Sequence, residues 1–455
     1  MAPLLPRGAR AHWWLPSRRP QTSAVCGLKL GRRRRRWGYM SRDRLKILCV
    51  SPIPASPPRL GAQARLHGLM TQLARRHDLT AVMLFDDEEF DANECRRAMQ
   101  AYCREVVMVP RRYGREGLPK RLLQLRSLTS TRSLHRLLFT LPAWQQSLDR
   151  LLRARRFDVV NLEFPFLGHC DLRQAPPGKK PPALVIDSHN IEYDLARQYA
   201  RNGDLVRRLY GEANWRKLRR EELGTYRHAD GVYLCSAEDE RRLLNEIPNV
   251  RTTVIPNAAD VEYYQPRPTD PPPDSRTVVF FGLLSYVPNV DGVTHFVKDI
   301  WPRVAAAHPD SRCKVIGGRP PPSLLALAGP RVELTGFVPD LRPHLAAASA
   351  VVVPLRLGGG TRLKVVEAMA MGKAIVSTKL GAEGIEAIPG RDIFVEDEPA
   401  AFADAVSRLL AEPSLAARIG QSARQLAVER YAWSGAARAL ENFYRRILLN
   451  PTQKL

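Results

Sequence analysis

The 455-residue chain contains no run of about 18 consecutive apolar residues, so nothing in it reads as a membrane-spanning helix. Its seven cysteines are scattered and odd in number, and none forms a CxxC pair. That excludes a disulfide framework and a zinc-type ligand spacing, and it fits a reducing cytoplasm. Neither half carries GxGxxG after its first strand, and GxxxxGK[ST] is absent, which disfavours dinucleotide redox chemistry and P-loop hydrolysis. No DxD-type acidic cluster stands in a suitable turn, and Asp86-Asp87-Glu88-Glu89 reads as a solvated loop. No metal site is expected.

Acid is also in short supply: 46 Asp and Glu stand against 70 Lys and Arg, for a net charge of +24. Residues 1–40 hold ten of the basic residues and no acid, including Arg32 to Arg36, and the rest of the chain carries +14. This segment has Trp13 and Trp14 but no continuous apolar core, so it makes a poor signal peptide. It reads as a disordered basic extension. One reading makes it an arm for nucleic acid or anionic membrane; the preferred one makes it an addition upstream of a natural start at Met40.

What the chain does have is two stretches of one grammar. Leu45–Val50 reads as a fully buried parallel strand. Further buried strands are expected at Thr80–Leu84, Val106–Val109, Asp158–Leu162, Leu184–Ile186 and Gly231–Cys235, with helical periodicity between them. Tyr264–Arg276 contains five prolines and almost no apolar surface, so it is a connector. The grammar then restarts with strands at Thr277–Phe281, Lys314–Ile316, Val332–Leu334, Ala350–Val353 and Ala374–Ser377. A last helix begins near Ser434, and its face of Trp433, Ala436, Ala437, Leu440, Phe443, Tyr444, Ile447 and Leu448 needs a partner from either domain. The division is a basic extension (1–40), an N-terminal Rossmann-like domain (41–264), a Pro-rich linker (265–276), a C-terminal Rossmann-like domain (277–431) and a C-terminal helix (432–455) expected to pack back across the cleft. Two doubly wound α/β domains place the carboxyl ends of both sheets around a central cleft, where ligands bind in such folds.

The most informative stretch is Val351–Glu386. An apolar strand breaks at Gly358-Gly359-Gly360-Thr361, and a short helix follows that closes at Gly372. A glycine turn entering a helix brings unpaired N–H groups and the positive end of the helix dipole to one point. With Arg362 and Lys364 beside it, the turn makes a cradle for a phosphate or diphosphate. Glu367, about two turns on, is placed to accept hydrogen bonds from ribose hydroxyls. The competing reading is an ordinary tight turn in which Lys364 and Glu367 form a surface pair.

Seven segments in order resemble the GT-B fold glycosyltransferases, specifically the large retaining family 4 of the group 1 type. They are SPIPASPPRLGAQAR after the first strand, DVVNLE (Asp158–Glu163), IDSHNIEYDLA (Ile186–Ala196) and VIPNAADVEYY (Val254–Tyr264). FFGLLSYVPNVDGV (Phe280–Val293), TGFVPDLRPHL (Thr335–Leu345) and the GGGTRLKVVEAMAMGKAIVST segment complete the set. The resemblance implies two Rossmann-like domains, with the second binding a nucleotide-diphosphate sugar. It implies that Glu367 binds the ribose, that Gly359, Gly360 and Thr361 offer backbone amides, and that Phe337 and Val338 flank the base. Gly282 falls on the same donor side, and Gly61 lets the first loop approach the phosphates. His189 and Glu192 then lie on the opposite lip, near the reacting carbon. Relatives often carry a second glutamate eight positions before the ribose-binding one; here that position is Gly359. They also often place an Arg and a Lys after the first strand of the second domain, where this chain has Leu283-Leu284-Ser285-Tyr286. Arg362 and Lys364 are expected to supply those charges.

The expected activity is retaining, metal-independent hexosyl transfer from a nucleotide sugar to a saccharide or lipid-linked acceptor, in envelope or exopolysaccharide assembly. No cofactor is expected beyond the nucleotide sugar itself, and no nucleic acid. Glu163 and Arg65 are further site candidates at strand ends, whereas Asn257 reads as a turn or hinge residue. His189 on periodicity alone would be a hydrogen-bonded core histidine; its SHNIE context favours a site role. Arg111–Arg156 contains twelve Lys or Arg against Glu116 and Asp149, with Leu118, Leu122, Leu125 and Leu128 as an apolar stripe. It is either a basic surface for anionic lipid, placing the enzyme peripherally at the inner face of the membrane, or a solvated helix face over core leucines. The rival functions are a nucleotide-sugar 2-epimerase of the same fold, which needs more cleft acids than the sequence reveals, and a non-enzymatic basic binder built on the arm.

Overall fold

The computed structural model describes residues 44–58, 61–111, 118–201, 205–271, 273–358 and 361–450. The basic extension 1–40, Gly359 and Gly360 lie outside the described residues. The first sheet has seven strands: β1 (Lys46–Ser51), β2 (Asp78–Phe85), β3 (Glu105–Pro110), β4 (Val159–Glu163), β5 (Ala183–Ser188), β6 (Gly231–Leu234) and β7 (Thr252–Val254). The second has six: β8 (Asp274–Phe281), β9 (Arg312–Ile316), β10 (Val332–Gly336), β11 (Ala348–Val353), β12 (Ala374–Ser377) and β13 (Phe394–Val395). All pairings between them are parallel.

The strand orders are β3-β2-β1-β4-β5-β6-β7 and β10-β9-β8-β11-β12-β13. Each chain of crossovers reverses direction once, between β1 and β4 and between β8 and β11. At such a switch point the loops leaving two neighbouring strands diverge and open a crevice. The loop after β1, the loop after β8 and the glycine turn after β11 all leave from these points. This is the doubly wound GT-B architecture. The strands are buried on both faces, as Ile47, Leu48 and Val50 in β1 and Val351 to Val353 in β11 show, because helices cover both sides.

The linker boundary and the strand count differ from the sequence reading. The linker is three residues shorter than 265–276, because β8 starts at Asp274. There the Ser349 hydroxyl donates to the Asp274 carbonyl at 2.6 Å and Thr277 to its carboxylate at 2.9 Å. β7 and β13 are also additional, and both are short edge strands.

The C-terminal helix, Trp433–Leu449, joins the core of the first sheet's domain. A Cβ on Gly68 would lie 2.4 Å from the Trp433 ring, and one on Gly231 would lie 2.4 Å from Ile447. Both glycines are therefore required by this close approach. Tyr444 donates to the Asn161 side chain at 2.7 Å, under the carboxyl end of β4. Each large apolar side chain buried in that seam contributes roughly 1.5–3 kcal/mol, so the chain's last helix fastens the second half to the first. Leu448, counted on the buried face from sequence, is 36% exposed. No helix among the described residues is long and apolar enough to cross a membrane.

Candidate functional site

On the second-domain side, β11 runs into Gly358, whose φ of +114° is a conformation that L side chains rarely adopt. The helix Leu363–Ala370 follows with Arg362 at its N-cap and no side-chain cap on its first amides. The Lys364 side chain reaches across to the turn after β8. Its ammonium donates to the Asn289 side chain at 2.6 Å, lies 4.2 Å from the Phe280 ring centre, and would lie 2.9 Å from a Cβ on Gly282. A Cβ on Gly317 would come within 1.9 Å of the Gly282 carbonyl. The absence of a side chain at Gly282 leaves room for the ammonium, and its absence at Gly317 leaves room for the Gly282 carbonyl. Burial lowers Lys364 to about 7, Arg362 pushes the same way, and Glu367 opposes.

Glu367 is pushed up to about 7 by burial, against a hydrogen bond from Tyr264 and the nearby Lys364. Phe337 is 62% exposed, and its Cβ would lie 3.6 Å from one on Gly318, so an aromatic side chain stands open beside that glycine. Val338 packs instead against the second-domain core.

Arg362 and Lys364 are not equivalent. Arg362 curls over Gly358 and lies 4.0 Å from Glu383, with its Nη2 toward the Leu380 carbonyl. Lys364 reaches the turn after β8, where Arg362 does not.

On the first-domain side, β4 and β5 run in register so that Glu163 and Asp187 end side by side. His189 Nε2 lies 2.8 Å from Glu163 and 3.5 Å from Asp187, and its ring stacks on Phe164 at 4.3 Å. Phe164 holds φ at 67°, a strained value for an aromatic residue, and its amide donates to the Asp187 carbonyl. Arg65 grips both Asp187 oxygens at 2.8–3.1 Å and donates to the Ile255 carbonyl at 2.9 Å. Burial opposes the charge on Arg65, but Asp187 outweighs it and the guanidinium is held above its ordinary range. Glu163 is pushed up to about 7 by burial and by Asp187, against the His189 hydrogen bond. Three ligand-type side chains thus converge, Glu163, Asp187 and His189, but they are paired with one another and with the Arg65 cation.

Glu192 opens the helix Glu192–Arg201 and is pushed up to about 7 by burial, with His189 opposing. Its position is set by Glu222, which sequence reasoning missed. The buried Glu222 carboxylate accepts from the Glu192 amide (3.1 Å), the Tyr193 amide (2.9 Å) and the Tyr226 hydroxyl (2.7 Å). A carboxylate on two free N-terminal amides is a strong helix cap. Burial and Glu192 raise Glu222 to about 8. The only local hint was an adjacent acid pair, Glu221-Glu222, in a basic helix.

The two lips meet at Thr361. Its hydroxyl donates to the Cys235 carbonyl at 2.6 Å, and its own carbonyl accepts from Asn257 at 2.6 Å. Asn257 in turn accepts from Arg65 at 3.1 Å, so a hydrogen-bonded chain runs from Asp187 to the donor turn. Asn257 is therefore a bridge between domains as well as a turn residue. The Thr361 side chain is spent on this contact and does not face the cleft. Gly61 opens the helix Gly61–Ala74, and a Cβ on it would lie 3.3 Å from Leu363, which places the start of that helix against the start of the Leu363–Ala370 helix. Glu89 and Arg319 form a further pair across the cleft at 3.0 Å.

Residues 60–263 match the family model "Glycosyltransferase Family 4", and residues 275–412 match "Glycosyl transferases group 1". The D-inositol 3-phosphate glycosyltransferase of Frankia alni is 27% identical over 248 residues, 47% of this chain. The match spans 58% of that relative's length. Among solved structures, a sucrose-phosphate synthase from Thermosynechococcus elongatus superposes with a TM-score of 0.63 at 18% identity, covering 89% of this chain and 100% of that one. Anabaena HepE, solved in complex with UDP and glucose, gives 0.59 at 15% identity, covering 88% and 99%. At such identities the structural likeness is one of fold.

Proposed function

We propose, for a chain that belongs to the group 1 and family 4 glycosyltransferases, retaining transfer of a hexose from a nucleoside-diphosphate sugar to a saccharide or lipid-linked acceptor. The observation that carries this reading is the Lys364 ammonium, held among Gly282, Asn289 and Phe280 at the turn after β8. The diphosphate lies against Lys364 and the N-terminal end of the Leu363–Ala370 helix, which offset the charge that builds on the leaving group. Glu367 holds the ribose and Phe337 stacks on the base. The sugar carbon faces His189 and Glu192. The acceptor hydroxyl attacks from the face the diphosphate leaves, and its proton passes to the departing phosphate oxygen. No metal is assigned to the reaction, because Lys364 and the helix amides occupy that electrostatic role. The place of action is the cytoplasmic side of the envelope, in assembly of an envelope glycan or exopolysaccharide, with peripheral contact to the membrane.

A panel of nucleotide sugars, read by release of nucleoside diphosphate and by thermal shift, tests the proposal. One donor is expected to turn over, with or without a chelator. Silence with every donor, and no shift with any nucleoside diphosphate, would overturn it.

A further inference from the structure

The stretch Arg111–Arg156 does not lie over core leucines, because Leu122, Leu125 and Leu128 are 58%, 62% and 52% exposed. Its informative member is Arg136, on the short helix Leu134–Phe139. The Arg136 guanidinium makes no hydrogen bond or ion pair among the described residues, and the residue lines a cavity of about 330 Å³. One wall of that cavity is the Pro165–Leu167 turn after β4, with Phe166 and His169. The other is a face of the helix Leu205–His228, with Arg220, Glu221 and Thr225. Arg220 has five donors, and one goes to the Thr131 carbonyl at 2.6 Å. Each Glu221 oxygen accepts once, from the Ser133 amide at 3.0 Å and the Ser133 hydroxyl at 2.5 Å, and a carboxylate has room for further donors.

The same two walls hold the reacting lip. Phe166 stacks on Phe164 at 5.3 Å, and Phe164 stacks on His189 at 4.3 Å. Along the helix, Glu222 follows Glu221 and caps the helix that begins with Glu192, while Tyr226 follows Thr225 and meets the Ser188 hydroxyl at 2.7 Å. A Cβ on Gly168 would come within 2.1 Å of Thr225, so the walls touch each other.

We propose that this cavity is a second ligand site, for a sugar phosphate, whose occupancy adjusts the lip bearing His189 and Glu192. Arg136 and Arg220 take the phosphate, since a guanidinium matches its oxygens with paired donors. Glu221 accepts from the sugar hydroxyls. The mixed lining selects this ligand: a bare phosphate would meet Glu221 without a hydroxyl to offer it, and an uncharged sugar would leave Arg136 unpaired. The volume is at the lower end for small-ligand sites, which suits one sugar ring and its phosphate. Neither Lys364 nor Glu367 lines the cavity, so this ligand and the nucleotide sugar bind apart. Only the effect on turnover rests on the proposed function; the binding does not.

Calorimetry on the full chain without donor compares mannose 6-phosphate, mannose and inorganic phosphate. The sugar phosphate is expected to bind about tenfold or more tightly than either of the others, and Arg136→Gln to weaken it by about tenfold or more. The melting temperature of that variant should not change, because Arg136 has no protein partner to lose. Lys364→Met should leave this binding intact. With the preferred donor saturating, the sugar phosphate should change kcat for nucleotide release severalfold and leave the donor KM alone. Arg136→Gln should abolish that response at an unchanged basal rate. No binding of the sugar phosphate, wild-type binding by Arg136→Gln, or loss of binding in Lys364→Met overturns the proposal. So does binding that leaves kcat where it was. Donor turnover without calorimetric binding removes this inference and leaves the proposed function standing; binding lost in Arg136→Gln, with silence toward every donor, does the reverse.

Discussion

The two lips of the cleft are built on opposite plans. The first-domain lip is closed upon itself: Arg65, Asp187, Glu163 and His189 are buried and each is bonded to another. The second-domain lip sets the Lys364 ammonium against the bare backbone of Gly282, beside Asn289 and Phe280. One lip is assembled before any ligand arrives. The other holds a positive charge whose natural counter-charge is a ligand's. The difference predicts where substitutions should injure the fold and where they should injure only the chemistry.

The largest effect is expected from Arg65→Met. It would leave Asp187 as a buried charge without its partner, a loss of about 3–5 kcal/mol. Chemical denaturation would read it as a lower midpoint with an unchanged slope. Little loss of stability would show that the first lip is not the pre-assembled one.

Lys364→Met should do the reverse. Nucleotide release from the preferred donor is expected to fall roughly a hundredfold or more, with the melting temperature unchanged or raised, because burial already disfavours this charge. Arg362→Ala separates the two basic residues. It is expected to affect donor affinity less than Lys364→Met, since Arg362 faces Glu383. If Arg362→Ala cost more activity than Lys364→Met, the assignment of the diphosphate to Lys364 would fail.

The comparison also has a pH signature. Folding lowers Lys364 from 10.5 to about 7, so between those values the unfolded chain holds more protons and stability rises with pH on account of this group. A bound diphosphate restores the proton. Above pH about 7, binding must therefore take one up, and nucleoside diphosphate affinity is expected to fall by up to about tenfold per pH unit. Titration calorimetry from neutral to mildly alkaline pH would measure the slope, and Lys364→Met should flatten it. An unchanged slope in that variant would assign the linkage to another group.

How much of this was legible in the sequence follows the same division. The glycine turn, Lys364 and Glu367 of the second lip lie within ten residues, and the apolar strand before them is one that any parallel sheet would show, although Gly282 and Asn289 reach Lys364 from another segment. β1, β4 and β11 were readable for that reason, whereas β7 and β13 span three and two residues at sheet edges and leave no periodic trace. The first lip is non-local. Arg65 and Asp187 are 122 residues apart, and Glu222 caps a helix start 30 residues upstream of it. A resemblance of motifs flagged His189 and Glu192, but only the fold shows what holds them. The same limit hid the Tyr264–Glu367 contact, which joins the linker's edge to the donor helix.

The smallest expected effect probes the joint between the lips. Thr361→Val keeps the shape of the side chain and removes only the hydroxyl that donates to Cys235. The second bond survives, because Asn257 donates to the Thr361 main-chain carbonyl. One hydrogen bond of this kind is worth about 0.5–1.5 kcal/mol net, so the melting temperature should fall slightly. If the joint only staples two independent lips, donor affinity should not move. If it transmits the Arg65–Asn257 network to the donor turn, donor affinity should weaken severalfold while the Lys364 pH slope persists. Donor titrations of Thr361→Val at two pH values separate these outcomes. A stability loss as large as that of Arg65→Met would mean that the lips fold as one network and that the contrast between them is only one of exposure.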